Sequence, residues 1–294
     1  MTWNNQQSAK KVNISRTHCF SLSDFHDFDK CLFKFFVGHH LEKKYELAEG
    51  TPNQALGCLL DLAIKNIHRR KSYGQPFENI RPYISLGQLE MQSHFERNGE
   101  RSYYGQQVKF LTPDLVDKAR NVFEQYYQQL KGQVKPSVLI KEFWERTLPG
   151  DEPTKVWGGP DGVEMGEDGV PEVVDYKYFE DLEKGKSYLD MDLMPKIYVY
   201  LASEDLLKMG YSKARFMVRL WGDARDESKS CDFDLNSMLG VEEDLKERIE
   251  KILATLDFNF CEKPYCPACK SPQRDEWVST CKLKLGLSPK FDLG

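Results

Sequence analysis

Asp161, Asp175 and Lys177 stand at a spacing suited to metal-assisted hydrolysis. Asp161 follows Gly159-Pro160, and Asp175-Tyr176-Lys177 follows the apolar pair Val173-Val174. Between them, Glu167-Asp168-Gly169 signals a turn, because Asp-Gly readily adopts the positive φ of a hairpin. The hairpin places both aspartates at corresponding positions on paired strands, where their carboxylates converge. Converging oxygen ligands are what a hard ion such as Mg²⁺ needs, with water and phosphate completing its shell. Such an ion polarises a phosphodiester oxygen, lowers the pKa of a water and offsets charge on the leaving oxygen. Lys177 shares the strand face of Asp175, where it can orient the attacking water or stabilise developing charge. After two valines, Asp175 is expected to be half-buried and to need a partner. Glu142 on the preceding strand supplies a third acid.

The cysteines form a second constellation. Of the eight, four crowd into Cys261-x4-Cys266-x2-Cys269-x11-Cys281, after Phe258-Asn259-Phe260. In a reducing compartment such a cluster more often binds metal or an iron–sulfur cluster than forms disulfides. Cys-x2-Cys on a tight turn lets two thiolates reach one centre, so four local cysteines can hold Zn²⁺. Cys19, Cys58 and Cys231 are isolated and read as small apolar residues.

These side chains need a scaffold. A helix starts at Ser21-Leu22-Ser23-Asp24, where Ser and Asp offer capping oxygens, and runs through Phe35. A second covers about 53–71, with Leu56, Leu59, Leu60, Ala63, Ile64 and Ile67 on its buried side. Residues 75–132 read as a helical insertion containing a helix from Pro113 to Leu130. The period then changes to that of strands, over Val138–Arg146, around Lys155–Met165 and over Glu172–Lys177. A helix over about 189–208, a strand over Ala214–Trp221 and a helix over Val241–Leu256 follow, before the cysteine-rich tail. This order makes a mixed α/β domain.

Bulk properties narrow the choices. The 294 residues suffice for one large domain with a true core. A net charge of −5 argues against a protein that merely coats nucleic acid, since phosphate affinity comes mainly from Lys and Arg. There is no apolar run long enough to span a bilayer, and the opening Met1–Gln7 is polar, so a cytoplasmic protein without membrane contact is expected.

The residues carry a family resemblance. Gly159-Pro160-Asp161 followed by Val173-Val174-Asp175-Tyr176-Lys177 resembles the PD-(D/E)XK nuclease superfamily, and more closely its RecB-type members. These include the CRISPR-associated iron–sulfur adaptation nucleases and the AddB nuclease domain. Ser21-Leu22-Ser23 with Cys31 and Phe35 is similar to the family's opening helix. Gly57-x3-Asp61 stands in place of Gly-x3-His, and Lys196-x3-Tyr200 in place of Gln-x3-Tyr.

The resemblance implies a restriction-endonuclease-like mixed sheet flanked by helices. It implies one nuclease domain over 1–294, with the insertion at 75–132 and the cysteine-rich segment at 258–285. It assigns catalysis to Asp161, Asp175 and Lys177. Mg²⁺ or Mn²⁺ would be held by Asp161 and Asp175 with the Tyr176 carbonyl and Asp61 or Glu142, and Lys196 and Tyr200 would bind substrate. It further implies a [4Fe–4S] cluster on Cys31, Cys266, Cys269 and Cys281, with Zn²⁺ as the alternative and Cys261 as a substitute ligand. The expected activity is metal-dependent DNA cleavage, as an exonuclease in recombination, repair or CRISPR-type processing, with a helicase or recombinase as partner. The competing expectation is a non-catalytic nucleic-acid-binding subunit that keeps the fold.

Overall fold

The computed structural model describes residues 19–41, 50–72, 81–99, 103–130, 137–139, 141, 144–150, 154–179, 191–221, 227–255 and 266–284. They form two compact units, one of Met1–Glu49, Glu145–Trp157 and Glu242–Gly294, the other of Gly50–Trp144 and Gly158–Val241.

The first unit begins with strand β1 (Cys19–Ser21) and helix α1 (Leu22–Lys30). Ser21 and Asp24 form a reciprocal capping box, with the Ser21 N–H donating to Asp24 Oδ2 at 2.8 Å. The sequence predicts one continuous helix here, but the chain breaks at Cys31, whose backbone is extended. A new helix, α2 (Leu32–His40), starts there, and the Lys34 N–H points at Cys31 Sγ at 3.4 Å. The break gives the thiol a capping position that a mid-helix residue would lack. Strands β3 (Trp144–Leu148) and β4 (Thr154–Gly158) join β1 in a small sheet of order β1-β4-β3, with β1 parallel to β4. Helix α8 (Met238–Ala254) is tied to α1 by the Arg248–Asp29 ion pair, and α9 (Arg274–Lys284) packs on α2.

The second unit holds a five-stranded mixed sheet of order β2-β5-β6-β7-β8. Its strands are β2 (Ser137–Leu139), β5 (Gly162–Met165), β6 (Pro171–Tyr178), β7 (Lys213–Trp221) and β8 (Glu227–Asp234). The expected single strand over Val138–Arg146 is therefore two, β2 and β3, in different sheets. β5 and β6 make the predicted hairpin. Gly169 takes φ 77°, and the Gly166 N–H bonds to Val170 O at 2.8 Å, where a Cβ on Gly166 would meet that oxygen at 2.6 Å. β6 pairs in parallel with β7, joined through α7 (Leu193–Lys208), and β8 closes the edge antiparallel to β7.

The alternation of β6 sorts its side chains between two faces. Val174 and Tyr176 join a core with Leu56, Leu59, Leu60 and Ile64 of α3 (Pro52–Ser72). That core also takes Tyr83 and Met91 of α4 (Arg81–Asn98) and Phe123 of α6 (Pro113–Leu130). The segment read as an insertion thus supplies much of this core, and each such buried side chain contributes about 1.5–3 kcal/mol. Val173, Asp175 and Lys177 face the other way, where Tyr198 of α7 meets Phe216, the β7 partner of Val173, with ring centroids 6.0 Å apart.

One buried charge network crosses three strands. Arg219 Nη2 donates to Glu164 Oε2 at 2.9 Å and Glu172 Oε2 at 3.2 Å, and the Tyr176 hydroxyl donates to Glu164 Oε1 at 2.6 Å. Removing one partner of a buried pair leaves an uncompensated charge, at about 3–5 kcal/mol. Arg219→Met removes the charge partner that Glu164 and Glu172 share and is expected to lower unfolding free energy by up to about that much, read by urea titration. An unchanged midpoint would show that the network contributes nothing.

Candidate active site

The site is assembled within the second unit. Gly162 pairs with Val174, so Asp161, the residue before it, lies opposite Asp175. The Asp161 N–H bonds to Val174 O at 2.9 Å, and its carboxylate Oδ2 accepts the Tyr176 N–H at 2.7 Å. Both aspartates are buried, and Asp175 is only 1% exposed. Lys177 Nζ donates to Asp175 Oδ1 at 2.9 Å. The other oxygen, Asp175 Oδ2, is buried and has no hydrogen-bond partner among the described residues.

Helix α3 brings two further groups. Asp61 and Lys65 lie one helical turn apart, and Lys65 Nζ sits 3.0 Å from Asp61 Oδ2 and 3.2 Å from Asp161 Oδ1. The hydroxyl of Tyr104, on α5 (Tyr103–Gln107), also donates to Asp61 Oδ2, at 2.9 Å. Three carboxylates and two ammonium groups therefore share one small volume.

The electrostatics follow from that crowding. Burial pushes Asp161 well above the usual carboxylate range; Lys65 opposes this, while the charges of Asp61 and Asp175 reinforce it. Asp175 is raised mainly by burial, against the pull of Lys177. Asp61 is also raised by burial, but Lys65 and a hydrogen bond from Asp161 outweigh this and hold it low. Burial disfavours the charge on both lysines, yet the neighbouring acids keep Lys65 and Lys177 protonated. Tyr198, within the field of Asp175 and Lys177, is raised chiefly by burial.

A divalent cation fits this donor set. Opposed carboxylates whose ionisation is disfavoured, one with an orphaned buried oxygen, present hard ligands short of positive charge. Because the Asp161 pKa is raised, its stabilising contribution is full below the unfolded value near 3.8 and is lost as pH rises through the folded value. In EDTA, Asp161→Asn is thus expected to melt about 2–4 °C above the wild type at pH 8, with the gap closing towards acid pH. A gap that does not vary with pH would refute this reading of Asp161.

Several predicted positions are thereby located. Asp61, Asp161, Asp175 and Lys177 come together, and Tyr176 contributes its N–H to Asp161. Glu142 lies outside the described residues. On α7, Lys196 is half-buried and Tyr200 fully buried, and Tyr198 lies within the field of Asp175 and Asp161. Lys65 was absent from the sequence expectation. Its only signal is the Asp61-x3-Lys65 spacing, a charged pair interrupting the apolar run from Leu56 to Ile67.

The first unit contains a second candidate centre. The thiols of Cys31, Cys266 and Cys269 all lie within 4.8 Å of one another, with Cys31 Sγ 3.4 Å from Cys269 Sγ and 3.7 Å from Cys266 Sγ. Zn–S bonds of about 2.3 Å in a tetrahedron put sulfurs about 3.8 Å apart, so three thiols already stand at ligating separation. Cys281, fully buried on α9, lies outside this triad, and Cys261 lies outside the described residues.

The PD-(D/E)XK nuclease superfamily model matches residues 19–274. No curated protein matches the chain. A solved structure of SSO0001 is 13% identical, over 83% of this chain and 95% of its own, with a TM-score of 0.28.

Proposed function

We propose that this chain, which belongs to the PD-(D/E)XK nuclease superfamily, is a divalent-metal-dependent deoxyribonuclease with Asp161, Asp175 and Lys177 at its catalytic centre. Membership points to a nuclease, and superfamily members typically use divalent metals. The observation that carries the finer reading is the Asp161–Asp175 pair, with its orphaned oxygen and the adjacent Lys177 ammonium.

Asp161 and Asp175 would hold Mg²⁺ or Mn²⁺, with Asp61 and the Tyr176 carbonyl as further ligands. The ion would polarise the scissile phosphodiester and offset charge on the leaving oxygen. The Tyr176 N–H fixes the orientation of Asp161, so that this carboxylate need not reorganise as substrate arrives. Lys177, anchored on Asp175 Oδ1, orients the attacking water and stabilises charge that develops on the phosphate. Lys196 and Tyr200 are assigned to substrate binding.

The finer placement is a RecB-type exonuclease, similar to the CRISPR-associated iron–sulfur adaptation nucleases and the AddB nuclease domain. Such an enzyme would act on DNA ends in recombination, repair or CRISPR-type processing, in the cytoplasm and beside a helicase or recombinase. No helix among the described residues is long and apolar enough to cross a membrane. The cysteine centre is assigned a structural role. The family resemblance favours a [4Fe–4S] cluster on Cys31, Cys266, Cys269 and Cys281, whereas the close thiol spacing suits Zn²⁺.

The test is incubation of the purified chain with end-labelled single- and double-stranded DNA in Mn²⁺, then in EDTA. Cleavage in Mn²⁺ that EDTA stops is the expected result. Binding without cleavage under either condition would favour a non-catalytic subunit that retains the fold.

A further inference from the structure

Lys65 bridges two of the three acids, a position that neither a core role nor a surface role requires. Its ammonium sits 3.0 Å from Asp61 Oδ2 and 3.2 Å from Asp161 Oδ1, and its side chain is 24% exposed. Tyr104 already donates a hydrogen bond to Asp61, so Lys65 is not needed merely to satisfy that carboxylate. Lys177, by contrast, engages only Asp175 among these acids by hydrogen bond. The two lysines thus divide the cluster. One neutralises the Asp61–Asp161 side, and the other leaves Asp175 Oδ2 open.

Two-metal phosphodiesterases place ions about 3.5–4 Å apart, each shared among carboxylates, to clamp attacking and leaving oxygens. A bridging ammonium occupies the same kind of position as one of those ions. Charge balance points the same way. With every group ionised, as a bound metal ion would draw them, three carboxylates against two ammonium groups leave one negative charge. One divalent ion turns this into one positive charge, which a single phosphodiester anion neutralises. A second divalent ion would leave a large positive excess.

We propose that Lys65 is the resident second cation of the acid cluster, so that the site takes one divalent ion rather than two. This rests on the reading of Asp161 and Asp175 as metal ligands. Rooted between Ile64 and Ile67 of α3, which are buried, the lysine cannot diffuse away as a metal ion can. Its side chain keeps partial solvent exposure, the access that a non-bridging phosphate oxygen needs.

The test counts ions instead of relying on cleavage alone. Calorimetric titration of the full chain with Mn²⁺, compared with Asp175→Asn, gives the number of ions bound at the acid cluster. The expected wild-type result is one, lost in Asp175→Asn. Lys65→Met is expected to bind two, whereas Lys65→Arg keeps one. Cleavage by Lys65→Met should fall about 10²-fold at low Mn²⁺ and recover in part at high Mn²⁺. Two ions in the wild type, or one in Lys65→Met, overturns the proposal. The wild-type count decides even where Lys65→Met fails to fold. If Asp175→Asn removes no ion at all, the metal-ligand reading fails instead.

Discussion

Asp175→Asn is expected to reduce DNA cleavage at least about 10³-fold while leaving DNA binding intact, a loss of roughly 4 kcal/mol of transition-state stabilisation. The substitution keeps the shape of the side chain and removes its charge. Asp175 lies opposite Asp161, holds Lys177 through Oδ1 and has Oδ2 buried without a partner. Losing the carboxylate therefore removes a metal ligand and the anchor of the water-orienting ammonium together. Binding rests on other groups, so anisotropy with a labelled duplex in Ca²⁺ should change little. Cleavage in Mn²⁺ at near wild-type rate would remove Asp175 from the mechanism.

The second large effect is expected in the other unit. On the proposed thiol-held metal, Cys269→Ser should abolish metal binding at these thiols and lower the melting temperature by about 10 °C or more, because structural thiolate centres carry much of the folding free energy of small metal-bound regions. Cys31, Cys266 and Cys269 link the α1–α2 break to the turn before α9. Elemental analysis would read zinc or iron directly, and a visible absorption band would mark an iron–sulfur cluster. Cys231, exposed on β8, is the control, and Cys231→Ser should alter neither metal content nor melting. Equal metal content in wild type and Cys269→Ser would eliminate the centre.

The sequence was most informative where chemistry and local pattern coincide. Asp-Gly at 168–169 and the valines before Asp175 were enough to place the hairpin and set Asp161 against Asp175, because period-2 alternation and turn chemistry are local. The helix expected over about 53–71 is α3, Pro52–Ser72. What depended on distant partners was hidden. Helix α1 ends at Cys31 because that residue faces a turn 235 or more positions away, which no helical periodicity reports. The run from Val138 to Arg146 looked like one strand, since nothing in its alternation shows that its halves join different sheets. β8 was missed because an edge strand of Ser, Lys and Asp lacks the apolar signature. Lys65 reads as an ordinary helix lysine until the third acid arrives from the sheet.

The thiol cluster also has a consequence for biosynthesis. Cys31 and Cys269 meet across 238 positions of sequence, so their contact waits until residue 269 has left the ribosome. Closing so long a loop is slow and gains nothing until both ends are present. The carboxylate unit, spanning Gly50 to Val241, is complete in sequence well before residue 269 is added. Any metal taken up by these cysteines would therefore be bound only after the carboxylate unit is complete in sequence. A nascent chain stalled just before residue 269 carries the acids and Cys31 without Cys269, with α2 awaiting the helix that packs on it.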